Sequence, residues 1–532
     1  MSGVHTTVRG AVLALTLLGA GGLSAARAAD GYREPWRPQL HFTPAAHWMN
    51  DPNGMVYLDG EYHLFYQYHP YSTRWGPMHW GHAVSRDLLH WRHLPVALAP
   101  DRHGAIFSGS VVADLANTSG LGTRRHPPLV ALFTYHDHRL EKQGAVRVES
   151  QGLAFSLDRG RTWTKYAGNP VLANPGLRDF RDPKVFWHVP SQRWIMSLAA
   201  RDHVAFYSSA DLKYWSHESD FGAGRGEHAG VWECPDLFEM AVAGESARRY
   251  VLLVSVNPGA PNGGSGTQYF IGAFDGHGFA PDSDVALRTG ASAHWLDWGP
   301  DNYAGVTWSG VPAADGRRLL LGWMSNWSYA QLVPTVRWRS AMTLPRALQL
   351  VRSARGLELH SSPVAELARL RARRAAIAPA RLLAGSERSL LDPLAPLAGQ
   401  FEFTITLAVH AANNVRVTLR NARGEATVLR INRAQQRYEL DRSHSGVTGF
   451  SAAFGALQSA PLPAASSLVA LHVFVDRSSV EIFVNEGETV FTALVFPHAP
   501  YDTVTLSADQ DIEVSGGAAY ALKSVWANDA GV

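Results

Sequence analysis

Ser85-Arg86-Asp87-Leu88-Leu89-His90-Trp91 is a phrase that this chain repeats. Ser156-Leu157-Asp158 through Trp163 is a second copy, and Ser208-Ser209-Ala210-Asp211-Leu212-Lys213-Tyr214-Trp215 is a third. Each reads as the end of a strand, a Ser/Asp turn, then Trp. The copies stand about 50 to 70 residues apart, which suits the blades of a β-propeller better than a helical solenoid. A second pattern alternates with the first. Strongly apolar strand patterns recur at 62–68, 129–135, 194–199, 250–256 and 319–323. Five of them predict five blades of antiparallel strands around one axis. A β-sandwich of similar strand count would leave the repeated phrase unexplained.

Beyond Pro345 the character changes. The stretch 363–377 has helical spacing and an Ala/Arg/Leu composition, so it predicts a short helix within a linker at 351–390. Alternating strand patterns then follow at 401–409, 414–419, 426–431, 471–475, 480–484 and 490–496. Strands with short turns fit a sandwich over 391–532. Asp476-Arg477-Ser478-Ser479-Val480-Glu481 within it reads as a hairpin with charge pairing. The expected fold is therefore all-β: a five-bladed β-propeller at 30–350 carrying any catalytic groups, then a C-terminal β-sandwich.

The 532 residues suggest about two to four domains. With 46% hydrophobic and 18% charged residues, a sizeable core is available. The 48 basic and 46 acidic side chains leave a net charge of +2, which gives no electrostatic case for nucleic acid or an anionic membrane. Residues 1–29 read as a signal peptide: Arg9, an apolar run at 11–23 too short to span a bilayer, and the small-residue site Ala26-Arg27-Ala28. Export to the periplasm or the medium is expected, with no later membrane segment. Cys234 is the single cysteine, so no intrachain disulfide can form. No cofactor and no metal are expected. His136-Asp137-His138 is the best metal-like cluster, but it lacks zinc-site spacing and reads as a loop.

Three carboxylates fall in step with the blades. In His47-Trp48-Met49-Asn50-Asp51-Pro52-Asn53-Gly54, Pro52 pushes Asp51 toward extended geometry and Asn53-Gly54 supplies a turn. Arg181-Asp182-Pro183 precedes the third blade's first strand, and Glu233-Cys234-Pro235 the fourth's. A shared phase would gather the three acids at one end of one funnel. Acids so gathered cannot all ionise easily, so at least one should have a raised pKa. Glycoside hydrolysis needs such a set: an acid for the leaving oxygen and a carboxylate that attacks or activates water. Glu233 is the candidate acid, with a longer reach and the apolar neighbours Val231, Trp232, Cys234 and Pro235. Asp51, rigidly held, is the candidate nucleophile. Asp182, beside Arg181, is expected to stay ionised and to stabilise positive charge in the transition state.

The motifs Trp48–Gly54, Phe180-Arg181-Asp182-Pro183 and Trp232-Glu233-Cys234-Pro235 resemble the three signatures of glycoside hydrolase family 32, which includes invertases, inulinases, levanases and plant fructosyltransferases. Phe107-Ser108-Gly109-Ser110, 264–272, 322–327 and 474–481 also look like family segments, so the resemblance runs over nearly the whole mature chain. It implies a five-bladed propeller with a β-sandwich, and retaining transfer of β-fructofuranosyl units. It implies Asp51 as nucleophile, Glu233 as acid/base and Asp182 as transition-state stabiliser. Asn50, Gln67, Trp75, Phe107, Ser108, Arg181 and Trp323 would line the fructose subsite, together with Trp48 and Met49 of the first motif. Within the family the chain is most similar to secreted microbial exo-fructanases of the levanase and inulinase group. Fructan is the implied substrate, and sucrose presents the same terminal fructosyl unit. A fructosyltransferase on the same scaffold is the alternative enzyme. A non-catalytic fructan-binding protein is a third reading, but it would have no use for a general acid.

Overall fold

The computed structural model describes residues 32–526 apart from 284, 395–398, 464 and 465. The expected signal segment 1–29 lies outside them. Five antiparallel sheets follow one another from His47 to Pro363. Their innermost strands are His47–Leu58, Ala105–Ala113, Phe180–His188, Val231–Ala241 and Tyr303–Thr307. Each packs on the next, and the fifth packs back on the first through a parallel bridge between Val56 and Ser309. Trp338–Arg339, from the fifth blade's segment, also pairs in parallel with His47 and Trp48. The ring is thus closed by strands from both of its ends. The five apolar strands expected from the sequence are the second strands of the five blades: Glu61–His69, Leu129–His136, Arg193–Ala200, Arg248–Asn257 and Arg318–Met324. They read as continuous apolar runs because each lies between two strands and is covered on both faces.

The repeated phrase marks one turn, between the third and fourth strands of the first three blades. In the first blade Asp87 Oδ1 accepts from the Leu89 and His90 amides at 3.1 and 2.9 Å, and the Trp91 indole donates to the Leu88 carbonyl at 3.0 Å. Asp211 and Trp215 repeat this in the third blade, and Asp158 and Trp163 in the second. The turn uses left-handed residues each time: Leu88 in the first blade, Arg159 and Gly160 in the second and Leu212 in the third, at φ 67°, 59°, 79° and 64°. The Asp carboxylate and the indole supply the partners that the turn's backbone would otherwise lack.

The linker expected at 351–390 is not formed. Arg346–Ser353 and Gly356–Pro363 complete the fifth blade. Of the helix expected at 363–377 there is only a 3₁₀ turn, Ala365–Leu370, which buries Leu367 and Leu370 at the i, i+3 spacing such a turn allows. Arg371–Ile377 is a strand paired with Ile512–Leu522. The alternate burial of Ala375 and Ile377 has the period of a strand, and it overrides the helix-forming composition.

From there two antiparallel sheets form the sandwich, with a shared core that includes Phe401, Phe403, Val415, Leu429, Ile482 and Phe491. The segment read as a charged hairpin is buried at the domain joint. Asp476 and Glu481 hold His41 between them at 2.7 and 2.9 Å, and Glu481 also meets Arg346 of the fifth blade at 2.7 Å. Arg346 reaches Asp297 at 2.9 Å as well. The sandwich is keyed to the propeller by buried charge.

Candidate active site

All five inner strands carry one extra residue at the same end. Met49 and Pro52 oppose Tyr68 and Tyr66, and Ile106 and Gly109 oppose Tyr135 and Phe133. Arg181 and Lys184 oppose Ala199 and Ser197, Glu233 and Asp236 oppose Ser255 and Leu253, and Tyr303 and Val306 oppose Trp323 and Leu321. Such bulges bend a strand and re-aim its side chains. Asp182, Cys234 and Ala304 take the left-handed conformation there, at φ 67°, 48° and 54°. Pro183 and Pro235 sit inside bulges, where no ladder donor is required. At Gly109 any side chain would run into the Leu132 carbonyl, 2.1 Å from an added Cβ. Thus the bulge of the second blade ends on a glycine.

The three acids share this end of the ring but not one position in the bulge. Glu233 aligns with Arg181 and Met49, Asp182 with Cys234 and Asn50, and Asp51 with Pro183 and Pro235. The common Pro context thus marks the bulge and not one equivalent carboxylate. This corrects the expectation of a single phase and explains how three acids reach one space from three angles.

Asp51 accepts from the Ser108 hydroxyl at 2.7 Å and from the Asn50 amide at 3.0 Å. The Trp48 indole in turn donates to Asn50 at 2.8 Å. Asp182 accepts from the Cys234 backbone amide at 3.0 Å. The Cys234 thiol lies between two acids, 3.7 Å from Asp51 and 3.6 Å from Asp182. Burial, then the surrounding carboxylates, push that thiol well above its ordinary range, so it is a neutral donor and no thiolate nucleophile.

Arg181 does not pair with Asp182. Its Nε and Nη2 donate to Glu233 Oε1 at 3.2 and 3.1 Å, and its Nη1 donates to Glu149 at 3.1 Å and Asp179 at 2.6 Å. Tyr303 donates to the other Glu233 oxygen. Burial pushes Asp182 up to about 8, with Glu233 and Asp51 adding to the rise and Arg181 opposing it. Burial also raises Asp51, against the Ser108 hydrogen bond. Burial thus works against the expectation that Asp182 stays ionised, and the Arg181 guanidinium, turned toward Glu233, offsets it only through space.

These groups open on a cavity of about 480 Å³. Its lining includes Asn50, Asp51, Gln67, Trp75, Phe107, Ser108, Arg181, Asp182 and Glu233, nine of the twelve residues expected from the sequence. Trp48, Met49 and Trp323 are fully buried and lie behind this lining. Trp48 and Trp323 pack on Trp327, with ring centres 5.9 and 4.9 Å apart, and Trp327, like Trp75, lines the cavity. Glu149, Asp179, Trp327 and Tyr303 were missed. Tyr303 carried a usable signal: it holds the fifth blade's counterpart of the Glu233 position.

Residues 41–363 match the family model for the glycosyl hydrolases family 32 N-terminal domain, and residues 366–521 match that for the family 32 C terminal. The chain belongs to glycosyl hydrolase family 32. The break between the two family 32 segments falls on the 3₁₀ turn between the fifth blade and the sandwich. The chain is 47% identical to a levanase of Bacillus subtilis (strain 168) over 94% of this chain and 73% of the levanase. It is 41% identical to an extracellular exo-inulinase of Aspergillus niger over 88% of this chain and 91% of that enzyme. Among family 32 structures, the exo-inulinase of Aspergillus awamori superposes with a TM-score of 0.83 at 36% identity, covering 93% of this chain and all 100% of that one. The fructofuranosidase of Schwanniomyces occidentalis complexed with fructose gives 0.81 at 30% identity, over 94% and 100%.

Proposed function

We propose that this chain is an exported retaining hydrolase that releases terminal β-fructofuranosyl units from fructans and from sucrose. The observation that supports it best is the convergence of Asp51, Asp182 and Glu233 on one cavity, with Glu233 held by Arg181 and Tyr303. The relatives named above are a levanase, exo-inulinases and a fructofuranosidase, which favours water over a sugar hydroxyl as the final acceptor.

Asp51 attacks the anomeric carbon as the bond to the leaving oxygen breaks, and the Glu233 carboxyl gives that oxygen its proton. Water then passes a proton back to Glu233 while its oxygen displaces Asp51, so fructose leaves with its configuration retained. Ser108 and Asn50 fix the attacking oxygens of Asp51. Asp182 faces the sugar and stabilises the positive charge that develops.

Sugar hydroxyls that donate to Asp182 favour its ionised form. Gln67, Trp75, Phe107 and Trp327 complete the fructosyl subsite. Export follows from the reading of residues 1–29 and agrees with an extracellular relative. Among the described residues no helix is long and apolar enough to cross a membrane.

A time course on levan, inulin and sucrose tests the proposal. Free fructose should be the first product from each, released as the β-anomer by NMR. Longer oligomers built from sucrose, or no cleavage at all, would sink it.

A further inference from the structure

We propose that His136, His138 and Glu141 form a site for one divalent ion of the zinc class at the lip of the cavity, and that this ion excludes substrate. His136 ends the second strand of the second blade, and His138 opens the short helix His138–Lys142. Glu141 lies one turn along that helix, on the face of His138. The Asp137 carboxylate is engaged elsewhere: it accepts from the Arg139 amide at 2.9 Å and pairs with the Arg139 guanidinium at 3.0 Å. It anchors the helix and leaves His138 and Glu141 to face His136. Sequence spacing alone did not point to a site, because the third donor comes from a helix that the sequence read as a loop.

The donor geometry suits the ion. His136 Nε2 and His138 Nδ1 each lie 3.1 Å from Glu141 Oε2, and three ligand atoms fall within 4.8 Å of one another. Zinc bonds of about 2.0–2.1 Å in a tetrahedron place donor atoms about 3.3 Å apart. A small swing of Glu141, which is half exposed, opens that space.

One further observation points to a ligand. His136 Nδ1 faces the Glu149 carboxylate at 3.3 Å, an outer carboxylate of the kind that orients a metal-binding imidazole, and this turns Nε2 toward Glu141 and the proposed ion.

The location sets the consequence. His136 and Glu141 line the cavity, and the His136 ring stacks on Phe107 with centres 4.3 Å apart. The Trp75 ring stands edge-on to His138 at 5.9 Å. An ion here, with its fourth position open to the cavity, occupies space beside both aromatic walls. This second half of the proposal rests on the fructosidase reading; ion binding does not.

Calorimetry with Zn²⁺, paired with the visible spectrum of Co²⁺, tests the binding on the full exported chain. One ion per chain and a tetrahedral cobalt band are expected. His138→Ala and Glu141→Gln should each weaken zinc binding more than about 10-fold, outer-shell losses alone costing about that much. No stoichiometric binding, or binding unchanged in both variants, would overturn the site. For the second half, Zn²⁺ should raise the KM for sucrose several-fold at constant kcat, a chelator should reverse this, and His138→Ala should be insensitive. Stoichiometric zinc with unaltered hydrolysis would overturn the exclusion. An enzyme inert on sucrose without zinc would refute the fructosidase reading and leave the binding result standing.

Discussion

Tyr303 donates to the Glu233 oxygen that Arg181 leaves free, so both oxygens of that carboxylate are oriented by side chains from neighbouring blades. Burial, then the Glu233 charge, hold the Tyr303 phenol well above its ordinary range, so it stays a donor. Tyr303→Phe removes this bond and keeps the buried ring. A hydrogen bond to a charged group contributes about 1.5–3 kcal/mol, so kcat on sucrose should fall about 10- to 100-fold with a smaller change in KM. Normal kcat in a folded Tyr303→Phe would mean that Arg181 alone positions Glu233.

Asp51→Ala should abolish nearly all turnover while the fold persists, since Asp51 faces the cavity and its partners are polar groups at the rim of the core. Glu233→Ala should lose far less on a substrate with a good leaving group, which needs no proton, than on sucrose. Rates on both substrates separate the two roles. Equal losses for Glu233→Ala would remove its assignment as the acid.

Much of this was legible before the structure, for identifiable reasons. The Asp87, Asp158 and Asp211 turns repeat in sequence because each needs a carboxylate, left-handed backbone and an indole four or five residues past the carboxylate. That periodicity carried the propeller. The acids stand out in the sequence because Pro sits inside the bulge in the third and fourth blades and at its end in the first. What stayed hidden depends on orientation. Arg181 and Asp182 are adjacent in the chain, yet the bulge aims them at different partners. Trp48 and Trp323 belong to the motifs but pack one layer behind Trp327. Glu481 reads like a surface hairpin acid, and only the pairing of two domains buries it. The strand Arg371–Ile377 was lost because its composition favours a helix that tertiary pairing does not permit.

Asp182 gives a stability test. Its folded pKa of about 8 lies above the usual carboxylate value. Between about pH 4 and 8 the folded state therefore binds more protons than the unfolded one, and stability from this residue falls as pH rises. Asp182→Asn removes the titration and keeps the shape. It should stabilise the protein at pH 8, by on the order of 1–4 kcal/mol, with the gain vanishing near pH 4. Urea unfolding across that range measures it. No gain at pH 8, or a loss there that fades toward acid, would mean that the fold holds Asp182 at or below the ordinary carboxylate range.

His41 adds a second pH-dependent contribution at the domain joint. Asp476 and Glu481, on its two ring nitrogens, raise its pKa to about 9 against burial. A raised histidine stabilises the fold fully below its unfolded pKa of about 6.5, and the contribution is lost as pH rises through 9. Glu481→Gln leaves His41 and Arg346 short of a buried carboxylate, which should cost about 3–5 kcal/mol. The cost should be larger at pH 6 than at pH 9.5, where His41 no longer needs the charge. Thermal unfolding of wild type and variant at the two pH values reads the difference. Equal losses at both would show that Arg346 alone, whose guanidinium stays charged throughout, accounts for the role of Glu481 at the joint.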